Sequence, residues 1–212
     1  GLGVSSFVML STESLLSICF TSSLSRYGGD LAVGAMTILT SVSQLATLPL
    51  QGICQGGQPL ISYNFGARKT QRVKQAFYCQ LMACVGYTVL FWGLVMLAPK
   101  AFAGMFTDDA ALTEYTVWAL RIYMAAIFAL GAQICCQQSF MALGQAKISL
   151  LLACLRKIVL LIPLILLLPH FFADQVFAVF LAEPVSDTLA AAVTTACFLA
   201  KFDTILKENK II

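Results

Sequence analysis

Six ionisable side chains stand inside otherwise apolar runs: Glu13, Arg121, Arg156, Lys157, Glu183 and Asp187. On insertion scales an ionised group at the bilayer centre costs about 2.5–3.5 kcal/mol, so each needs a partner, water or a task. Glu13 shares one helical face with Ser6, Ser17 and Thr21, at spacings of 7, 4 and 4. Counted at 1.5 Å per residue it lies roughly 12–14 Å into its segment, near the midplane. A carboxylate there can exchange a proton if desolvation penalises its charged form. Arg121 lies at a similar depth, roughly 15 Å from the opposite end of its segment, and must meet acceptors. Glu13 is one candidate partner and Glu114 another. The plain reading is a structural ion pair; the sharper one is that protonation of Glu13 frees Arg121 and shifts the bundle. Glu183 and Asp187 are four residues apart and share a face. Arg156 and Lys157 reach the same level from the preceding segment. The four read as an interhelical clamp, which Pro184 between the acids would loosen.

The elements that hold these groups follow from composition. Of 212 residues, 59% are hydrophobic and only 11% charged, with a mean hydropathy of +0.87. So little charge cannot cover a soluble protein of this size, which leaves a polytopic, all-α membrane protein over a soluble helical domain. Six segments can cross a bilayer: about 4–25, 32–63, 75–98, 111–143, 148–169 and 176–201, with a charged tail over 203–212. The two longest tilt or protrude. Short turns join them, among them "RYGGD" (26–30), "ARKTQRVK" (67–74) and "GQAK" (144–147).

Eight of the 13 Lys and Arg fall in the second loop, the fourth loop and the tail. Arg26 and Lys100 fall on the other side, and Arg121, Arg156 and Lys157 lie within spans. The bias places both ends of the chain in the cytoplasm. A net charge of +3, dispersed, gives no reason to expect nucleic acid. The eight cysteines sit in apolar runs without C-x-x-C spacing and read as small apolar side chains, not disulfides or metal ligands. The one histidine, His170, falls in a loop, so no serine–histidine pair or H-E-x-x-H helix supports a membrane-embedded enzyme. No phosphate-binding loop is present for direct use of ATP.

The stretch "LQGICQGGQPLISYNFGARKTQRVKQAF" (50–77) interrupts this pattern. Pro59 lacks an amide proton and is expected to bend or break the helix, as is Pro49. Gly52, Gly56 and Gly57 would let a neighbouring helix approach closely. Gln51, Gln55 and Gln58 would bond to carbonyls freed by the kinks. Asn64 and Gly66 suit a helix C-terminus, and the following cations suit anionic head groups. The stretch reads as a hinge and gate (Gln55, Gly56, Pro59, Asn64, Gly66) or, more plainly, as a kinked packing helix. "FMALGQAK" (140–147) echoes its end. Met9, Met36, Met82, Met124 and Met141, with Phe7, Phe91, Phe128 and Phe140, are candidates for a soft surface for organic compounds.

Gly52, Gln55, Gly56, Pro59, Ser62, Asn64, Gly66, Ala67 and the run Arg68–Lys74 resemble a signature of the MATE family, the multidrug and toxic compound extrusion transporters. "YGGDLAVGAMTI" (27–38), "MALGQAKISLLLACLRKIVLLIPL" (141–164) and "FLAEPVSDTLAAAVT" (180–194) are similar to other parts of that family, in order. The closest flavour is its bacterial, MepA-like drug-efflux branch. The resemblance implies a twelve-helix transporter with two six-helix lobes in a V, of which this chain would be the C-terminal lobe, helices seven to twelve. It implies secondary active efflux of small organic, often cationic, compounds from the bacterial cytoplasmic membrane, against H+ or Na+ and with no other cofactor. Partners would be membrane lipid and the absent N-terminal lobe. It also implies a coupling role for a glutamate at the level of Glu13, although Gly3 stands where such branches often carry proline. A lipid-linked oligosaccharide flippase of the same superfamily, which would want more cations along its cavity, and a lone lobe acting as an assembly module are the alternatives.

Overall fold

The computed structural model describes the backbone of residues 2–211 and the side chains of residues 11–207. Ser6, Phe7 and Met9 therefore lie outside the described side chains. Helix α1 (Leu2–Gly66) is broken at Gly29, whose φ of 65° and ψ of −161° only glycine adopts readily. In a straight rod Glu13 and Thr47 would be about 50 Å apart, yet both line one cavity. The two arms, 2–28 and 30–66, therefore fold back beside each other. Then follow α2 (Thr70–Leu97), a short α3 (Pro99–Gly104), α4 (Ala110–Tyr123) and α5 (Ile127–Ala142). The last two form one span bent by 51°. The next span runs through α6 (Ala146–Cys154), a π-helical stretch (Leu155–Leu161), α7 (Ile162–Leu167) and a 3-10 turn (Leu168–His170); α8 (Gln175–Ile211) is the last. The chain is a multi-pass, all-helical membrane protein.

Apolar residues at helical spacing form two cores. One, around Leu24, Leu39, Leu120 and Phe180, joins both arms of α1 to α4, α7 and α8. The other, around Phe77, Phe140, Phe198 and Phe202, joins α2, α5 and α8 at the opposite end. Buried Cys54, Cys84, Cys135 and Cys136 pack into that second core as free thiols.

In hydrocarbon, carbonyls freed at a break need a new donor. Pro49 cannot donate to the Leu45 carbonyl, and the Tyr87 hydroxyl of α2 donates to it at 2.8 Å. At the bend between α4 and α5, Trp92 Nε1 donates to the Ala125 carbonyl at 3.1 Å, and Thr88 Oγ1 donates to the Phe128 carbonyl at 3.2 Å. Three side chains of α2 thus prop the irregular points of its neighbours.

Helical dihedrals continue through Pro49 and Pro59, so the expected break at Pro59 does not occur; the one non-helical residue inside α1 is Gly29. Helix α1 ends at Gly66, with Asn64 in its last turn, as expected of a C-terminus. Asn64 and Gly66 are both helical, and the left-handed residue is Arg68, at φ 57°. The Lys69 amide closes the cap on the Asn64 carbonyl at 2.9 Å, while the Asn64 amide donates back to the Leu60 carbonyl at 2.8 Å. In the similar "FMALGQAK" the left-handed residue is Gly144, so the two glycines of the echo are not equivalent.

Candidate functional site: a charged cavity between apolar helices

A polar stripe on the second arm of α1 (Thr40, Ser43, Gln44, Thr47 and Gln51, spaced 3, 1, 3 and 4) faces Glu13, Ser17 and Thr21 on the first arm. Between them and α4, α5, the π-helical stretch and α8 lies a cavity of about 670 Å³. Thr40 and Thr47 satisfy their hydroxyls on carbonyls four residues back, so the helix stays intact while its wall is polar. Phe20 and Tyr123 meet edge to face at 6.1 Å, and both side chains line the apolar part of the cavity, as do Met36 and Met124. Among the other expected lining residues, Met82, Met141 and Phe128 are exposed elsewhere, and Phe91 and Phe140 are buried in the cores.

The charges enter from α1, the π-helical stretch and α8. Arg156 Nε donates to Asp187 Oδ1 at 2.7 Å, and its terminal nitrogen lies 2.6 Å from Asp187 and 3.4 Å from Glu183. All three side chains are largely buried. Ser186 Oγ ties α8 to the Arg156 carbonyl at 3.0 Å. Lys157 does not join this clamp as expected: its ammonium pairs with Glu13 across the cavity. Adjacent residues on a helix point in different directions, so one cannot follow the other to the same acids. The wide turn that orients both has a local cause. Pro163 cannot donate to the Val159 carbonyl, and the Ile162 amide bonds five residues back, to the Lys157 carbonyl.

The expected Glu13–Arg121 pair does not form. Arg121 sits in the last turn of α4, is exposed, and makes no ion pair with a described residue. The proposed hinge and gate residues lie outside the cavity. Gln55, Gly56 and Pro59 are exposed on the second arm of α1. Gly52 and Gly56 face open space; only Gly57 gives close approach, with the Gln80 side chain seated where its Cβ would be. The side chains of Gln51, Gln55 and Gln58 make no hydrogen bond to described residues, and of the three only Gln51 lines the cavity. Sequence reasoning passed over the stripe from Thr40 to Gln51, although its helical spacing was there to find, and over Tyr123, which nothing in its neighbours marks.

A sequence model of the MatE family matches residues 5–167. The chain belongs to the MatE family. It is similar to the multidrug export protein MepA of Staphylococcus aureus (strain NCTC 8325 / PS 47), 26% identical over 171 residues that cover 81% of this chain and 37% of that protein. It is also similar to MepA of Staphylococcus saprophyticus, 24% identical over 185 residues, 86% of this chain and 40% of that protein. The fold matches a solved multidrug resistance MATE family transporter in its outward-facing conformation, with a TM-score of 0.88, 17% identity, and coverage of 97% of this chain and 46% of that one. The inward-facing conformation gives 0.85, at 16% identity, with 92% and 45% covered. The solved MATE multidrug transporter DinF-BH gives 0.79 at 32% identity, with 93% and 44% covered. The chain thus has the fold of one lobe of a MATE transporter and spans about two fifths of the length of the curated relatives it matches.

Proposed function

We propose that this chain is the C-terminal lobe of a secondary active exporter of small organic, often cationic, compounds in the bacterial cytoplasmic membrane. Both ends of the chain face the cytoplasm in this reading, and H+ or Na+ drives export. The observation that carries the proposal is the cavity. Three carboxylates and two cations line it, a formal surplus of one acidic group, within a bundle otherwise apolar. That surplus favours a cation, and Glu13, with its side chain 60% exposed, is the carboxylate a mobile ion reaches first. A cation that displaces Lys157 from Glu13 would loosen the link between α1 and the π-helical stretch, and the lobe would shift against its partner. The similar TM-scores against outward- and inward-facing transporters support a lobe that moves as a unit.

The test is ethidium efflux from cells carrying this chain joined to the N-terminal half of a MepA-type transporter, compared with the chain alone. The joined form should clear the dye and stop when both the proton and the sodium gradients are collapsed. The lone chain should clear none. Efflux that persists without either gradient refutes the proposal.

A further inference from the structure

Helix α2 lends no residue to the charged cavity, yet carries its own pattern. Its buried row is Val73, Phe77, Gln80, Cys84, Thr88, Phe91 and Val95. The opposite row runs through positions 71, 75, 78, 82, 86, 89, 93 and 97, and its chemistry changes in order along the helix. It begins with Gln71 and Gln75, passes through Tyr78 and ends in Met82, Val89 and Leu97, all exposed. From 71 to 97 is about 39 Å, somewhat more than a hydrocarbon core, so the polar end sits at one interface. Gly86 and Gly93 have no atom within 4 Å of an added Cβ. Between Met82, Val89 and Leu97 they leave an open slot along the apolar half.

At the polar end a second cavity, of about 910 Å³, lies under the turn between α1 and α2. Arg68, Lys69, Arg72 and Lys74 line it. The carboxylate that faces this group from α8, Asp203, is engaged by Lys74 at 2.6 Å. Arg68, Lys69 and Arg72 make no ion pair with a described residue. Three unpaired cations around a recess suit a phosphate, which guanidinium groups bind in a bidentate fork. Polar recess, phenol and apolar slot follow one another as headgroup, interface and tail do in a phospholipid.

We infer that the outer face of α2 is a binding site for an anionic phospholipid, whose phosphate lies among Arg68, Lys69 and Arg72 and one of whose acyl chains lies along the slot over Gly86 and Gly93.

The test is native mass spectrometry of the chain in dodecyl maltoside, titrated with dioleoyl phosphatidylglycerol, with dioleoyl phosphatidylcholine or with inorganic phosphate. Phosphatidylglycerol should be retained, and the other two should not. The double variant K69Q/R72Q should weaken its retention about thirtyfold, and Gly86→Leu, which fills the slot and leaves every charge in place, several-fold. Lys147→Gln removes an exposed cation in the first turn of α6 and should leave retention unchanged. Circular dichroism checks that each variant keeps its helix content. Equal retention of both lipids, retention of phosphate alone, an equal loss in Lys147→Gln, or no loss in Gly86→Leu overturns the inference.

Discussion

Arg156→Leu is expected to destabilise the folded chain by about 3–5 kcal/mol, because it leaves two buried carboxylates without a counter-charge. Glu183 and Asp187 are four residues apart on one face of α8, and their side chains are 14% and 5% exposed. Arg156 is the one basic group within 4 Å of either among the described residues. The attraction within the triad offsets a large desolvation penalty, so the triad adds little net stability while complete and costs much when broken. The triple variant R156L/E183Q/D187N should therefore recover most of the loss. Lys157→Leu should cost about 1 kcal/mol or less, since its partner Glu13 is more than half exposed. Titration with dodecyl sulfate in mixed micelles, read by circular dichroism, measures all three. A loss in Arg156→Leu no larger than in Lys157→Leu would refute the account of the clamp.

Gly131→Val is expected to cost about 3 kcal/mol, the upper part of the range for overpacking. A Cβ at Gly131 would lie 2.7 Å from the Cys84 carbonyl oxygen and 3.0 Å from its carbon, with Thr88 Oγ1 closer still. The carbonyl belongs to α2 and cannot turn aside. To admit the side chain α2 and α5 must separate, which removes the hydrogen bond from Thr88 to the Phe128 carbonyl. Gly93→Val on the outer face of α2 meets nothing within 4 Å and should cost about 1 kcal/mol or less. The same titration distinguishes them, and equal effects would contradict the packing described.

The broad fold was legible because the bilayer imposes a coarse rule. Runs of about 20 apolar residues must be helical, and the turns between them are short and carry the charge. Glu183 and Asp187 were legible as a pair because helical spacing alone puts them on one face. The partners of Glu13 and Arg121 were not. Depth counted along a span gives a level but no direction around the helix, and Lys157, 144 residues from Glu13, is turned toward it by a π-helical stretch that hydropathy does not reveal. Pro59 does not end the helix, because a proline removes one hydrogen bond and leaves the dihedrals on either side free to stay helical. The cap at Arg68 was hidden for a related reason: glycine favours the left-handed conformation, yet here Gly66 stays helical and an arginine takes it up.

In the function proposed, Glu13, paired to Lys157 across the cavity, is where the driving cation acts. This is tested most directly by Glu13→Gln in the joined transporter, with ethidium efflux followed from vesicles under an imposed proton or sodium gradient. Loss of gradient-driven efflux by at least about tenfold, with ethidium binding retained, is the predicted result. Efflux that still follows the gradient at the unsubstituted rate would contradict it.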